Sequence, residues 1–110
     1  MKDQFQIWSY DFPGRGVHPV VLISNPDRCA QAAVVNVLYC TSQRQSRAIK
    51  PFEVMLNGAD GLSWETFCDC SVMWSIESSK LFDQRGEVTL ERRNAIRDKL
   101  RDVFRLSARD

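Results

Sequence analysis

From 64 to 76 the chain alternates with a period of two. Trp64, Thr66, Cys68, Cys70, Val72, Trp74 and Ile76 share one face, with Glu65, Asp69, Ser71 and Ser75 among the residues opposite. An extended strand gathers alternate side chains on one side, so this segment reads as one long half-buried strand, or as two joined at a bend. Phe52, Val54 and Leu56 against Glu53 and Asn57 repeat the pattern over a shorter length that ends in the LNGADG turn. Val20 to Ile23 and Val34 to Tyr39 are instead nearly continuous apolar runs, the mark of central strands buried on both faces. NPDRCAQA, between them, reads as a loop.

The C-terminal segment changes period. Thr89 suits an N-cap, Glu91 complements the helix dipole, and Ile96, Leu100, Val103 and Phe104 recur along one helical face. A helix from Leu90 to Leu106 packed on the sheet follows. Its other faces mix Arg92, Arg93, Arg97, Lys99, Arg101 and Arg105 with Glu91, Asp98 and Asp102, which reads as a solvated face, with RNA binding as the alternative. Short strands with turns between them and one terminal helix argue for a strongly bent antiparallel sheet, either a small barrel or a sandwich. No repeat, low-complexity tract or linker interrupts residues 1–110, so one domain is expected.

Composition sets limits. A 110-residue chain can bury a core without staples, and 44% hydrophobic with 26% charged residues is ordinary for a soluble globular protein. A formal net charge of +1 excludes a strongly basic, histone-like nucleic-acid binder, so any RNA contact must use local patches. The N-terminal MKDQFQIW has no apolar stretch of signal-peptide length and Val20 to Ile23 is far short of a membrane span, so a cytoplasmic protein with no membrane association is expected. Cys68 and Cys70 would point to the same side of a strand, which does not suit a bridge between them. Buried free thiols are the expectation for all four cysteines. A zinc site completed by Cys29 and Cys40 is the alternative, without the usual CxxC pairs.

Polar residues at strand ends are the candidate chemistry, because rigid scaffolds present reactive side chains where strands empty into loops. Arg15, His18, Thr41, Ser42 and Gln43 hold such positions. After them, SQRQSRAIK brings Arg44, Arg47 and Lys50 with no carboxylate until Glu53, a local positive patch beside the strand end or a solvated hairpin loop. Tyr39 and Phe67 are candidate stacking aromatics, although their periodicity suits a core or a dimer interface equally.

The order of these pieces resembles a family. IWSYDF, a Gly-bearing PGRG loop, HPVVLIS, a strand ending in CTSQ, then PFEVML, ADGL and a charged terminal helix look like the MazF/PemK group of toxin ribonucleases across nearly the whole chain. The resemblance implies a mainly β fold with a C-terminal helix, the SH3-like barrel of the MazF/PemK and CcdB type. It also implies an endoribonuclease of a type II toxin-antitoxin system that works as a homodimer and is silenced by an antitoxin. Such an enzyme cuts single-stranded RNA such as mRNA without metal or other cofactor, using the 2′-hydroxyl as nucleophile.

Thr41 occupies the family's threonine position and is the expected hydroxyl donor to the phosphate. The residue before Pro19, an arginine in the family, is His18 here. Two repairs are open. His18 can act as general acid or base, since an imidazole accepts and returns protons near neutral pH. Alternatively Arg15 supplies the guanidinium, with Gly14 and Gly16 letting the loop approach a phosphate. Arg15, His18 and Thr41 are thus the candidate catalytic set, and Ser42, Gln43, Arg44, Arg47 and Lys50 the candidate RNA-binding set. The short PGRGV segment replaces a longer flap of the family, which implies a more open site. A non-catalytic binding module on the same barrel and a CcdB-like gyrase poison are the competing functions.

Overall fold

The computed structural model describes residues 1–43 and 47–106. Strands β1 (Gln6–Phe12), β2 (Gly16–Leu22), β3 (Val34–Ser42), β4 (Glu53–Leu56), β5 (Thr66–Glu77) and β6 (Phe82–Glu87) form an antiparallel sheet in the order β4-β5-β3-β2-β1-β6. Helix α1 (Pro26–Gln31) joins β2 to β3, and α2 (Leu90–Phe104) follows β6. The sheet curls into a half-barrel with the helix last, the fold class read from the sequence. No helix among the described residues is long and apolar enough to cross a membrane.

The continuous apolar runs do become the central strands. Along β2, Val21 enters one core while Val20 and Leu22 enter another, and β3 divides Leu38 and Cys40 from Val35 and Val37 in the same way. Ile96 and Leu100 of α2 join the first core, with Val54, Leu56, Cys68 and Cys70. The second contains Phe12, Cys29 and Ile76, with Trp8, Tyr10, Tyr39 and Trp74 packed against it.

The alternation from 64 to 76 is carried by a bent strand. Leu38 pairs with Met73 but Cys40 pairs with Cys68, so residues 69–72 bulge out opposite Tyr39. A bulge bends and twists its strand. Cys68 and Cys70 therefore reach the first core, Ile76 reaches the second, and Val72 at the bend is half exposed rather than on a common buried face.

Two segments correct the sequence reading. NPDRCAQA contains helix α1, started by Pro26 in its first turn and by the Asn25 side chain, which accepts from the Arg28 amide. An Asn cap followed by Pro is a helix-start signal. Strand β6, unread in the sequence, pairs with β1 through an irregular ladder: Ile7 faces Gly86 and Ser9 faces Phe82, with Asp83 left-handed at φ 47°.

The sheet's two ends meet through a turn. The 3-10 turn Gly58–Asp60 after β4 lies against the backbone of Arg85 and Gly86, where a Cβ on Gly86 would overlap the Asp60 carbonyl oxygen. The buried Asp60 carboxylate accepts from the Asn57 and Thr89 amides at 2.9 Å each and pairs with Arg92. It thereby ties the turn to the start of α2. The Thr89 hydroxyl caps the helix by accepting from the Arg92 amide, as expected.

Of the helix arginines, Arg97, Arg101 and Arg105 are exposed, as a solvated face requires, while Arg92 and Arg93 are partly buried. Arg93 donates to the Val88 carbonyl, and the guanidinium groups of Arg93 and Arg97 lie 5.3 and 5.0 Å from the Phe5 ring. They hold α2 on the sheet.

All four cysteines are free and buried, and Cys29 sits in the core opposite the other three. The four sulfurs therefore lie on two sides of the sheet, which rules out a single four-thiolate zinc site. Cys40 faces Cys68 directly across β3 and β5. Hydrogen bonding with Cys40 and burial push the Cys68 thiol well above its ordinary value, and hydrogen bonding with Cys68 and burial do the same for Cys70.

Candidate active site

The β1–β2 hairpin turns through Pro13, Gly14 and Arg15, with Phe12 paired to Gly16. Gly14 and Gly16 have φ of 76° and 82°, backbone that L side chains rarely adopt, while a Cβ at either would meet nothing within 4 Å. Both glycines thus serve the turn's conformation and not a close packing approach.

His18 stands just beyond this turn, its ring tilted against Tyr39 at a centroid distance of 4.7 Å. Nε2 lies 3.0 Å from the Arg15 carbonyl oxygen and 3.2 Å from the Tyr39 hydroxyl. A carbonyl only accepts, so Nε2 carries the hydrogen, and the basic lone pair of the neutral ring belongs to Nδ1.

The β2–β3 ladder ends at Val20 and Tyr39. The next residue of β2 is Pro19, which has no N–H to donate. At this end a slot opens between the strands, lined by Val17, His18, Pro19, Thr41, Ser42 and Arg85. Thr41 and Ser42 stay in register with Phe67 and Thr66 of β5, so their backbone is fixed. Their hydroxyl groups have no hydrogen-bond partner among the described residues. Among the described residues the slot thus holds two free hydroxyls, an imidazole and a guanidinium, and no carboxylate: a donor set suited to a phosphodiester.

Arg85 is the residue that sequence reasoning missed. It lies in the β6 irregularity, and bulges re-aim side chains. Its Nε donates to the Ser9 hydroxyl at 2.7 Å, which orients the guanidinium, and no carboxylate among the described residues pairs with it. The only signal for it was a guanidinium missing from His18's position. Beside the slot, and sharing Val17, Ser42 and Arg85 with it, lies a wider cleft of about 430 Å³ whose walls include Trp64 and Phe82.

The other candidates lie around the slot in different ways. Arg15 is not among its lining residues. Its guanidinium rests over Tyr39 and Trp74, 5.4 and 5.3 Å from the ring centroids, on the aromatic side of the sheet. Gln43 closes the end of β3, its amide donating to the Glu65 carbonyl and its side chain to the Thr41 carbonyl.

Arg47 departs from the expected positive patch. It makes two 2.8 Å hydrogen bonds to Glu53, which is 7% exposed and also accepts from the Lys50 amide. The bonds from Arg47 hold the Glu53 carboxyl below its usual value. Glu53, on the face of β4 opposite Val54 and Leu56, thereby neutralises Arg47. Phe67 is buried beneath the Arg47 guanidinium, which removes it as a stacking platform. Lys50 is exposed, its Nζ 5.8 Å from the Phe52 ring. Arg44 lies outside the described residues.

A model of the PemK-like, MazF-like toxins of type II toxin-antitoxin systems matches residues 3–104. No curated protein matches the chain. Among solved structures, an endoribonuclease in complex with its cognate antitoxin from Mycobacterial species superposes with a TM-score of 0.82 at 24% identity, covering 97% of this chain and 98% of that one. Mycobacterium tuberculosis toxin MazF-mt6 gives 0.79 at 18%, covering 93% and 98%. MazE-MazF (Form-II) from Deinococcus radiodurans gives 0.71 at 21%, covering 93% of each chain. At these identities the likeness is one of fold.

Proposed function

Because the chain belongs to the PemK-like, MazF-like toxin family of type II toxin-antitoxin systems, we propose that it is an endoribonuclease that cleaves single-stranded RNA in the β2–β3 slot. The observation that carries this reading is the convergence of His18, Thr41, Ser42 and Arg85 on one slot that has no carboxylate among the described residues. Protein sites for hard divalent cations commonly supply at least one carboxylate, so this donor set favours a reaction run by side chains alone.

In this mechanism His18 Nδ1 takes the proton of the ribose 2′-hydroxyl. The 2′-oxygen bonds to the adjacent phosphorus and the bond from phosphorus to the 5′-oxygen breaks; the leaving oxygen takes a proton from a water molecule, and the His18 imidazolium returns its own proton to the hydroxide so formed. The products are a 2′,3′-cyclic phosphate and a 5′-hydroxyl. Arg85 and the Thr41 hydroxyl donate to the oxygens that gain charge on the way, and Ser42 fixes the phosphate. Arg15 replaces no slot residue: its carbonyl orients His18, and its guanidinium takes a neighbouring phosphate from the aromatic side. Gln43 and Lys50 line the route of the strand, and Arg47 contributes less because Glu53 offsets its charge.

A cognate antitoxin and a second copy of the chain are the protein partners under this reading, and action on mRNA places the protein in the cytoplasm. The exposed Val34, Val72 and Met73 supply apolar surface for a dimer contact. Purified protein incubated with long single-stranded RNA should cut it equally with and without EDTA, leave 2′,3′-cyclic or 3′-phosphate ends, and spare DNA, which lacks the nucleophile. His18→Ala should slow cleavage by about 10²–10⁴-fold. No cleavage of any RNA would return the chain to the binding-module class.

A further inference from the structure

The wider cleft beside the slot has the chemistry of a base-reading pocket. We propose that it binds the guanine of a nucleotide flanking the scissile phosphate, with Asp83 reading the base edge between the rings of Trp64 and Phe82. This rests on the slot being the cleavage site. The cleft shares Ser42 and Arg85 with the slot, so a phosphate held there leaves the adjoining base within one sugar of the cleft.

Trp64 is 50% exposed and Phe82 40%, both as cleft walls, and half-exposed rings beside a phosphate site are platforms on which a base stacks. A cleft of about 430 Å³ falls within the usual range of small-molecule sites.

The edge chemistry selects the base. Asp83 is exposed, carries no ion pair among the described residues, and is set in a left-handed conformation by the β6 irregularity. An ionised carboxylate only accepts. Guanine presents N1–H and its 2-amino group side by side, two adjacent donors that match the two carboxylate oxygens. Adenine and cytosine offer one amino group beside an acceptor nitrogen, and uracil offers one N–H between two carbonyl oxygens that repel the carboxylate. The Ser9 and Ser42 hydroxyls, which also line the cleft, are left for the remaining polar edge.

Two measurements test this. A random-sequence RNA pool is cut by the native protein and by Asp83→Asn, a change that keeps a residue tolerant of left-handed backbone. Guanine should be enriched at one position flanking the native cut, and Asp83→Asn should lower that preference by about tenfold while the pool is still cleaved. Separately, 5′-GMP is titrated against AMP, CMP and UMP while the Trp64 indole N–H resonance is followed. GMP should shift it at the lowest concentration, and Phe82→Ala should weaken GMP binding by about tenfold. Cleavage without guanine enrichment, or with enrichment unchanged in Asp83→Asn, overturns the inference and leaves the ribonuclease reading standing. Selective GMP binding without any RNA cleavage overturns only the ribonuclease reading. No GMP selectivity and no cleavage overturn both.

Discussion

Asp60→Ala removes the group that joins three parts of the fold. Its carboxylate is fully buried and receives the amide of Asn57, the amide of Thr89 and the guanidinium of Arg92. Truncation orphans two amides and leaves Arg92, whose side chain is 22% exposed, without its counter-charge. Breaking a buried ion pair from one side costs about 3–5 kcal/mol, and each orphaned buried donor adds a cost of its own. Two features pull the total down. Arg92 keeps its 2.7 Å hydrogen bond to the Asn57 side chain, and its partial exposure lets water reach it. A loss of about 4 kcal/mol is therefore expected. With an unfolding entropy of about 2.1 cal/mol/K per residue, a 110-residue chain loses about 4 °C per kcal/mol, so Tm should fall by about 16 °C. Asp60→Asn keeps one acceptor and the side-chain shape, and should fall between the two. Thermal unfolding followed by near-ultraviolet circular dichroism measures all three proteins. A fall of less than about 4 °C in Asp60→Ala would refute the view that this carboxylate clamps the turn to α2.

Gly86→Ala should prevent stable folding, because its Cβ would overlap the Asp60 carbonyl oxygen, whereas Gly58→Ala, with nothing within 4 Å, should leave Tm nearly unchanged. Equal tolerance at both positions would contradict the close approach. The Glu53 carboxyl titrates below its ordinary value of 4.5, so its share of stability is present above that pH and lost as pH falls through the folded value. In Glu53→Gln, urea unfolding measured from about pH 6 down to pH 3 should show a shallower acid loss than in the native protein. All four thiols are buried, so a thiol reagent such as DTNB should react with none of them in the native state and with all four in guanidinium. Fast native reaction at Cys68 or Cys70 would contradict the raised thiol values.

What the sequence showed and what it hid divide along a physical line. Continuous apolar runs and strict alternation are local signals, and they located β2, β3 and most of β5. Thr41 and Ser42 could be named because a strand end is also local. Arg85 could not. Its position depends on a register shift against β1, and FDQRGE carries no alternation to announce a strand. The burial of Glu53 could not be read, because its partner, Arg47, comes from a loop whose course the sequence does not set. The Asp60–Arg92 pair joins residues far apart in the chain, which no period reveals. Helix α1 is a different case: Asn25–Pro26 is a local start signal, and the short segment after it was read as a loop all the same.

The central claim is that the β2–β3 slot is where RNA is cut, with Arg85 supplying the guanidinium absent from position 18. Single-turnover cleavage of one oligoribonucleotide by Arg85→Ala, beside the native protein and with both folds checked by circular dichroism, tests it most directly. Losing one preorganised donor to the developing phosphorane charge should slow the chemical step by about 10²–10³-fold. A folded Arg85→Ala protein that cleaves within about twofold of the native rate would place the chemistry elsewhere.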